Sequence, residues 1–220
     1  MDIKKIVTGS LRNNCYILWN KKNECVIIDP GSEFYKIRKY IDTNNLIPIF
    51  VVLTHGHYDH IGTLSELTVV YKKVKIYIGD KDKECLTNPN KSLASLYANY
   101  KQFPVLHDVS IFDEMEFGIE DINIKCIHTP GHSPGSFCFL VNESILFTGD
   151  TLFKESIGRT DFPHGNKYSL IKSIEKIYSL LNPSEENPIT IYPGHGLSSN
   201  LFRERKVNKS IISIINIMDK

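Results

Sequence analysis

The sequence has no apolar run long enough to cross a membrane, no excess of charge and no cysteine motif, and each absence removes a class of function. Its apolar stretches, such as Ile49 to Leu53 and Ile211 to Ile215, fall far short of the roughly 18 residues of a spanning helix. Lys and Arg number 26 against 25 Asp and Glu, a net charge of +1. That balance gives no electrostatic footprint for nucleic acid and no attraction to an anionic membrane surface. The five cysteines, Cys15, Cys25, Cys85, Cys126 and Cys138, are odd in number and form no Cys-x-x-Cys pair, which excludes a disulfide framework and a thiolate zinc site. Met1 to Lys5 leads into Ile6-Val7 without the apolar core of a signal peptide, so a reducing, cytoplasmic compartment is the expectation. No internal repeat with a period of about 20 to 50 residues is present. What is there is the 41% apolar and 23% charged content of a folded globular chain of 220 residues, a length that one large layered α/β domain over 1–220 can fill.

Short β-rich runs alternate with helical patterns. Cys15 to Trp19, Cys25 to Ile28, Ile49 to Leu53, Val74 to Ile78, Ile122 to Ile127, Phe137 to Val141, Ile145 to Phe147 and Ile189 to Tyr192 read as strands. Helices are expected where apolar residues recur at three-and-one spacing: Leu170, Ile171, Ile174, Ile177, Tyr178 and Leu181, and again Val207, Ile211, Ile214, Ile215 and Met218. Shorter helices are expected at 33–42, through Phe34, Ile37 and Ile41, and at 61–71, through Leu64, Leu67 and Tyr71. Residues 80–110 carry weak periodicity and two prolines, Pro89 and Pro104, and read as a loop-rich excursion that either covers the site or lies passively on the surface.

The chemistry is concentrated at strand ends. Ile49 to Leu53 runs into Thr54-His55-Gly56-His57-Tyr58-Asp59-His60, four potential metal ligands within six residues. Chance placement of that pattern has odds on the order of 10⁻³. The same grammar of strand, small turn and ligand returns in His128-Thr129-Pro130-Gly131-His132, Thr148-Gly149-Asp150 and Pro193-Gly194-His195. Sites in layered α/β folds gather at the carboxyl ends of strands, and a glycine beside a ligand removes the Cβ that would crowd the centre. Seven groups are too many for one tetrahedral ion and suit two that share a ligand. His55, His57 and His132 are expected to hold the first, Asp59, His60 and His195 the second, with Asp150 between them. Imidazole and carboxylate without thiolate suit two divalent ions, zinc, iron or manganese, and do not choose among them. Such a pair generates a bridging hydroxide at neutral pH, which Asp59 would orient and relieve of its proton.

With His-x-His-x-Asp-His followed by Pro-Gly-His, Thr-Gly-Asp and a second Pro-Gly-His, the chain resembles the metallo-β-lactamase superfamily over nearly its whole length. The resemblance implies an αββα sandwich of four layers, two mixed sheets face to face with helices outside and metals at one edge. Gly9 to Tyr16, Ile28-Asp29-Pro30-Gly31 and Ser156 to Pro163 are similar to the short, single-domain glyoxalase II-like enzymes. A binuclear hydrolase of small thioesters of the hydroxyacylglutathione type is therefore implied, with a small-molecule partner. The longer glyoxalase II enzymes carry a Lys-Phe-Tyr segment for glutathione after the Gly-Asp motif, where Arg159-Thr160-Asp161 stands here, and add a helical domain after the last histidine.

The remaining polar residues divide by context. His128 shares strand parity with Ile124 and Cys126 and reads as a buried histidine rather than a ligand. Asp29 is either a turn residue before Pro30-Gly31 or a hydrogen-bond partner of a ligand histidine. Arg159 either pairs with Asp161 or meets a substrate carboxylate. His107 and His164 read as surface residues, and Arg203, Arg205, Lys206 and Lys209 as a solvated helix face. The rival activity is a persulfide dioxygenase of the same fold, similar through Gly158 to Phe162, with one iron at His55, His132 and Asp150; a non-catalytic binding module would have lost several ligands.

Overall fold

A computed structural model describes residues 1–97 and 101–218 of the chain, with side chains as far as Ile215. Its strands owe their unbroken apolar runs to burial on both faces. In β2 (Asn13–Trp19), with β1 being Asp2–Thr8, and in β3 (Glu24–Ile28), alternate residues face opposite ways. Cys15, Ile17, Cys25 and Ile27 join one apolar layer, while Tyr16, Leu18, Val26 and Ile28 join another. The first layer is completed by Ile37 and Ile41 of α1 (Phe34–Thr43) and by Leu64 and Leu67. The second meets Ile124, Cys126, Phe139, Val141 and Phe147 of the other half of the chain, and is the core between two sheets.

The first sheet has the order β1, β2, β3, β4 (Ile47–Val52), β5 (Lys75–Gly79) and β6 (Val109–Ile111), antiparallel through β3 and parallel from there on. Two short helices, α2 (Tyr58–Ile61) and α3 (Leu64–Val70), connect β4 to β5. The second sheet comprises β7 (Glu116–Ile119), β8 (Ile122–His128), β9 (Phe137–Val141), β10 (Ile145–Gly149), β13 (Thr190–Pro193) and β14 (Ser199–Asn200), adjacent in that order. A hairpin of β11 (Leu152–Phe153) and β12 (Ser156–Ile157) stands beside it. Outside this sheet, Leu170, Ile174 and Ile177 of α4 (Lys167–Leu181) pack with Leu201 of α5 (Leu201–Val207) and Ile211 of α6 (Lys209–Met218). The layers are thus αββα, two mixed sheets with helices on both outer faces.

Two expected helices are broken. The 61–71 segment is interrupted at Gly62-Thr63 because the Thr63 N–H and hydroxyl both donate to the Pro30 carbonyl, at 3.2 and 2.9 Å. Val207 belongs to α5 and is exposed; the buried Asn208 ends that helix and starts the next by accepting from the N–H groups of Ser210 and Ile211. The stripe position given to Met218 lies outside the described side chains. In the excursion, a 3-10 segment (Asp80–Leu86) follows β5 and a second covers Ala94–Leu96; residues 98–100 lie outside the described residues.

Candidate metal centre

Four strand ends deliver the site. β4 passes through Leu53-Thr54 into the His55-Gly56-His57 turn and α2, β8 into His132, β10 into Asp150, and β13 into Gly194-His195. The two sheets are joined here at their strand ends: Phe137 N–H donates to the Thr54 carbonyl at 2.7 Å, Asn14 N–H to the Gly194 carbonyl at 2.7 Å, and the Tyr16 hydroxyl to the Pro193 carbonyl at 2.7 Å. Gly194 has no substitute at this seam, since a Cβ there would sit 2.4 Å from Asp150 Oδ1 and 2.7 Å from His60 Cε1.

All seven expected side chains converge. His55, His57 and His132 bring ligand atoms within 4.8 Å of one another, as do Asp59, His60 and His195, and as do His55, His60 and Asp150. Asp150 Oδ1 lies 3.5 Å from His60 Nε2, and its Oδ2 lies 3.5 Å from His132 Nε2 and 3.6 Å from His195 Nε2. It therefore faces both triads. Asp59 Oδ2 is 3.2 Å from His195 Nε2 and 3.6 Å from His60 Nε2.

For His55, His60, His132 and His195 an outer partner fixes which nitrogen faces inward. His132 Nδ1 lies 2.9 Å from the Arg159 carbonyl and His195 Nδ1 3.0 Å from the Leu11 carbonyl. A carbonyl only accepts, so both Nδ1 atoms carry the proton and both Nε2 lone pairs point into the cluster. His60 Nδ1 lies 2.9 Å from Asp29 Oδ2 with the same result. Thr54 donates its hydroxyl proton to Asp29 Oδ2 at 2.6 Å, which leaves its oxygen to accept from His55 Nδ1 at 3.1 Å. Asp29 thus does more than shape a turn: it holds His60 directly and His55 through Thr54, and its Oδ1 receives the Thr54 N–H at 2.8 Å.

These inward atoms fit a cation. His55 Nε2, His60 Nε2 and Asp150 Oδ1 are buried and have no hydrogen-bond partner among the described residues, an arrangement that costs about 1 to 3 kcal/mol per group unless something fills it. The two halves differ electrically. Burial and the neighbouring imidazoles hold His55 far below the usual histidine range and His57 at about 3, so these two rings stay uncharged. Around His60, burial opposes a charge, yet Asp59, Asp29 and Asp150 push it up to about 10. Burial likewise opposes ionisation of Asp59, but His60 and His195 hold its carboxyl well below the usual range. Carboxylates that push an imidazole up in this way make an environment that favours a cation.

The other singled-out residues fall outside the cluster. His128 is half-buried rather than buried; its Nε2 lies 3.1 Å from the Pro134 carbonyl and it touches no ligand. Its strand parity is that of the inter-sheet core, but β8 ends there and leaves the ring at the margin. Arg159 donates to Asp161 at 2.7 and 2.6 Å and stacks 4.1 Å over Phe162, which bears out the ion-pair reading. His164 is exposed, and half-buried His107 sits 3.0 Å from the Ser110 hydroxyl. Arg205, Lys206 and Lys209 are exposed as expected, whereas Arg203 is tied to Glu155 and to buried Glu204. All five cysteines are free and buried.

A cleft of about 400 Å³ opens onto the centre, walled by Leu11, Leu93, Tyr97, Phe153, Ile157 and Phe162, with Arg159 at its side. None of these walls except Arg159 was expected as a site residue, because an apolar side chain facing a cleft looks in sequence like one facing a core. The 80–110 excursion supplies Leu93 and Tyr97, so it borders the cleft.

Imidazole lone pairs gathered around shared carboxylates at the edge of an αββα sandwich mark a metal-binding enzyme class, and comparison with known proteins agrees. A family model described as the metallo-beta-lactamase superfamily matches residues 8–195, and the chain belongs to that superfamily. It is 34% identical over 212 residues to hydroxyacylglutathione hydrolase GloC of Haemophilus influenzae, covering 94% of this chain and 97% of the relative. Of solved structures, the BLEG-1 B3 metallo-β-lactamase aligns with a TM-score of 0.88 at 30% identity, covering 96% of this chain and 99% of that one. A protein solved in a di-iron-bound form, TTHA1623, aligns with a TM-score of 0.81 at 29% identity, over 94% of this chain and 99% of that one. Among the described residues no helix is long and apolar enough to cross a membrane.

Proposed function

We propose that this protein is a binuclear metal-dependent hydrolase of small thioesters. The observation that carries the reading is the paired triad with Asp150 facing both, open to a cleft on one side. His55, His57 and His132 would hold one ion, Asp59, His60 and His195 the other, and Asp150 both, with zinc favoured and iron or manganese compatible. The chemistry that two such ions supply is a hydroxide nucleophile at neutral pH and polarisation of a carbonyl. Asp59, ionised and at the floor of the cleft, is placed to orient an incoming nucleophile and accept its proton. Leu93, Phe153, Ile157 and Phe162 exclude water from around the acyl group.

The leaving group follows from what the cleft contains. Its described lining offers the phenols of Tyr58 and Tyr97 but no carboxyl or imidazole outside the centre to protonate a departing nitrogen. A thiolate leaves without that proton, whereas an amine does not, which supports a thioester over a β-lactam. An assembled Asp59, His60 and His195 triad supports a second ion and weighs against the one-iron dioxygenase reading. Localisation in the cytoplasm is consistent with five free, buried thiols.

Arg159 is the one full-time cation among the described lining residues, and Asp161 already compensates it. A grip on an anionic thiol such as glutathione is therefore weak. One charge-assisted contact contributes about 1.5 to 3 kcal/mol, or roughly ten- to hundred-fold in kcat/KM. Steady-state kinetics on S-lactoylglutathione, a lactoyl ester of a small neutral thiol, a β-lactam and a persulfide with oxygen electrode readout test the whole reading. The expected result is hydrolysis of both thioesters within about a hundred-fold of each other; if Arg159 contacts substrate, Arg159→Ala changes KM more than kcat. A β-lactam turned over faster than every thioester, or oxygen uptake with the persulfide alone, overturns it.

A further inference from the structure

Asp82 plays no part in the chemistry above, yet it is 1% exposed and its carboxylate is fully engaged. It lies in the 3-10 segment after β5, and the donors it collects come from two other turns. The Gly56 N–H reaches its Oδ2 at 3.0 Å, the Ser133 hydroxyl the same oxygen at 2.6 Å, and the Gly135 N–H its Oδ1 at 2.7 Å. Gly56 stands between His55 and His57; Ser133 follows His132. Ser136 extends the chain, its hydroxyl 2.6 Å from that of Ser133 and accepting the Ser133 N–H at 3.1 Å. The fit is close enough that a Cβ on Gly135 would lie 2.6 Å from the Asp82 carboxyl carbon.

We propose that Asp82 is a positioning residue for the three-histidine half of the metal centre, clamping the His55-Gly56-His57 turn to the His132 turn so that their inward nitrogens converge. His57 Nδ1 and His132 Nε2 face each other at 2.8 Å across this clamp, although the two residues come from different sheets. The nearest backbone hydrogen bond, from the Phe137 N–H to the Thr54 carbonyl, joins the residues flanking the two turns, and within the turns the carboxylate ties backbone and hydroxyl donors of both together. The Asp59, His60 and His195 half has its own anchors, Asp29 and the Leu11 carbonyl, and does not depend on Asp82.

The inference rests on the reading that these histidines bind metal, and the test separates the two. Wild type, Asp82→Asn, Ser133→Ala and Glu204→Gln are titrated with Co(II) after chelator treatment, recording bound equivalents, visible absorption spectrum and metal-free melting temperature. Asparagine keeps the shape of Asp82 but presents one acceptor where two are used, so either the Gly135 N–H or the Gly56 N–H loses its acceptor, depending on the amide orientation. Asp82→Asn is expected to weaken one of the two cobalt equivalents about 10- to 100-fold and alter its spectrum while the other binds as in wild type. Ser133→Ala is expected to shift the same equivalent by less. Glu204, equally buried but anchoring the Glu155 N–H and the Asn208 amide, controls for general destabilisation: its variant melts earlier and keeps both equivalents and the wild-type spectrum. Wild-type affinity and spectrum in Asp82→Asn overturn the proposal, as does a cobalt loss matched by Glu204→Gln. If Asp82→Asn does not fold, Ser133→Ala decides, and unchanged cobalt binding there overturns it. A wild type that binds no cobalt overturns instead the metal reading beneath it.

Discussion

Asp150→Asn is expected to strip metal from both halves of the centre and to leave activity near background, whereas His128→Asn keeps both metal equivalents. Asp150 reaches His60 with one oxygen and His132 and His195 with the other, so it faces both ion positions, and its charge offsets two cations at once. Outer partners of metal ligands already cost about 10- to 100-fold in affinity when removed; a shared ligand should cost at least the upper end of that range at each site, ~2.7 kcal/mol or more. His128 binds the Pro134 carbonyl at the end of β8, and its loss reaches no inward nitrogen. Metal analysis of the two variants after dialysis against dilute chelator checks this. Equal metal loss in both would mean that the ligand assignment is wrong.

Gly31→Ala should be among the most damaging single methyl groups in the chain. Its Cβ would stand 2.0 Å from the Asp59 carbonyl oxygen, 2.6 Å from Asn13 Nδ2 and 2.9 Å from Thr8 Oγ1. The first is backbone of the helix that carries Asp59 and His60, so relief requires moving ligands, and Asn13 is held by its own bond to the Asp29 carbonyl at 2.9 Å. Overpacking at sites that can relax costs about 1 to 3 kcal/mol, and this one cannot relax, so a loss of about 3 kcal/mol or more is expected. Chemical denaturation of the metal-free variant measures it. A midpoint within error of wild type would show that the Pro30-Gly31 turn shifts freely.

How much of this was legible in the sequence depends on the surroundings of each segment. The strands flanked on both sides by other strands, from β2 to β5 and in the group of β8, β9, β10 and β13, stand out as apolar runs because both of their faces are covered. The strands at the four sheet edges do not. β1 carries Lys4 and Lys5, β7 alternates exposed Glu116 and Gly118 with half-buried Phe117 and Ile119, and β6 and β14 are only a few residues long. Polar, short edges guard against pairing with other chains, and the same traits hide them from periodicity. The seven side chains of the centre were readable because their spacing within each strand-end motif is chemical. Asp82 was not, since its role comes from three donors brought to it by distant turns, and nothing in Gly79-Asp80-Lys81-Asp82 distinguishes it from a solvated turn. The tautomers of His60 and His132 were equally invisible, being set by Asp29 and the Arg159 carbonyl across the fold.

The four ligands from the β4 end and α2 belong to one sheet, and His132, Asp150 and His195 to the other, and that division reaches beyond catalysis. Ions held between them would act as rivets, present only while both halves are folded and in register. Because an unfolded chain cannot assemble either triad, occupancy at a hundred times the dissociation constant adds about 2.7 kcal/mol per site to the free energy of opening. Proteases that cut transiently opened chains should digest the chelated protein many times faster than the loaded one; equal digestion half-lives would show that the seam opens without the metals. In a cell short of the metal, the protein would lose persistence as well as activity, so its abundance would track metal supply without any dedicated regulator.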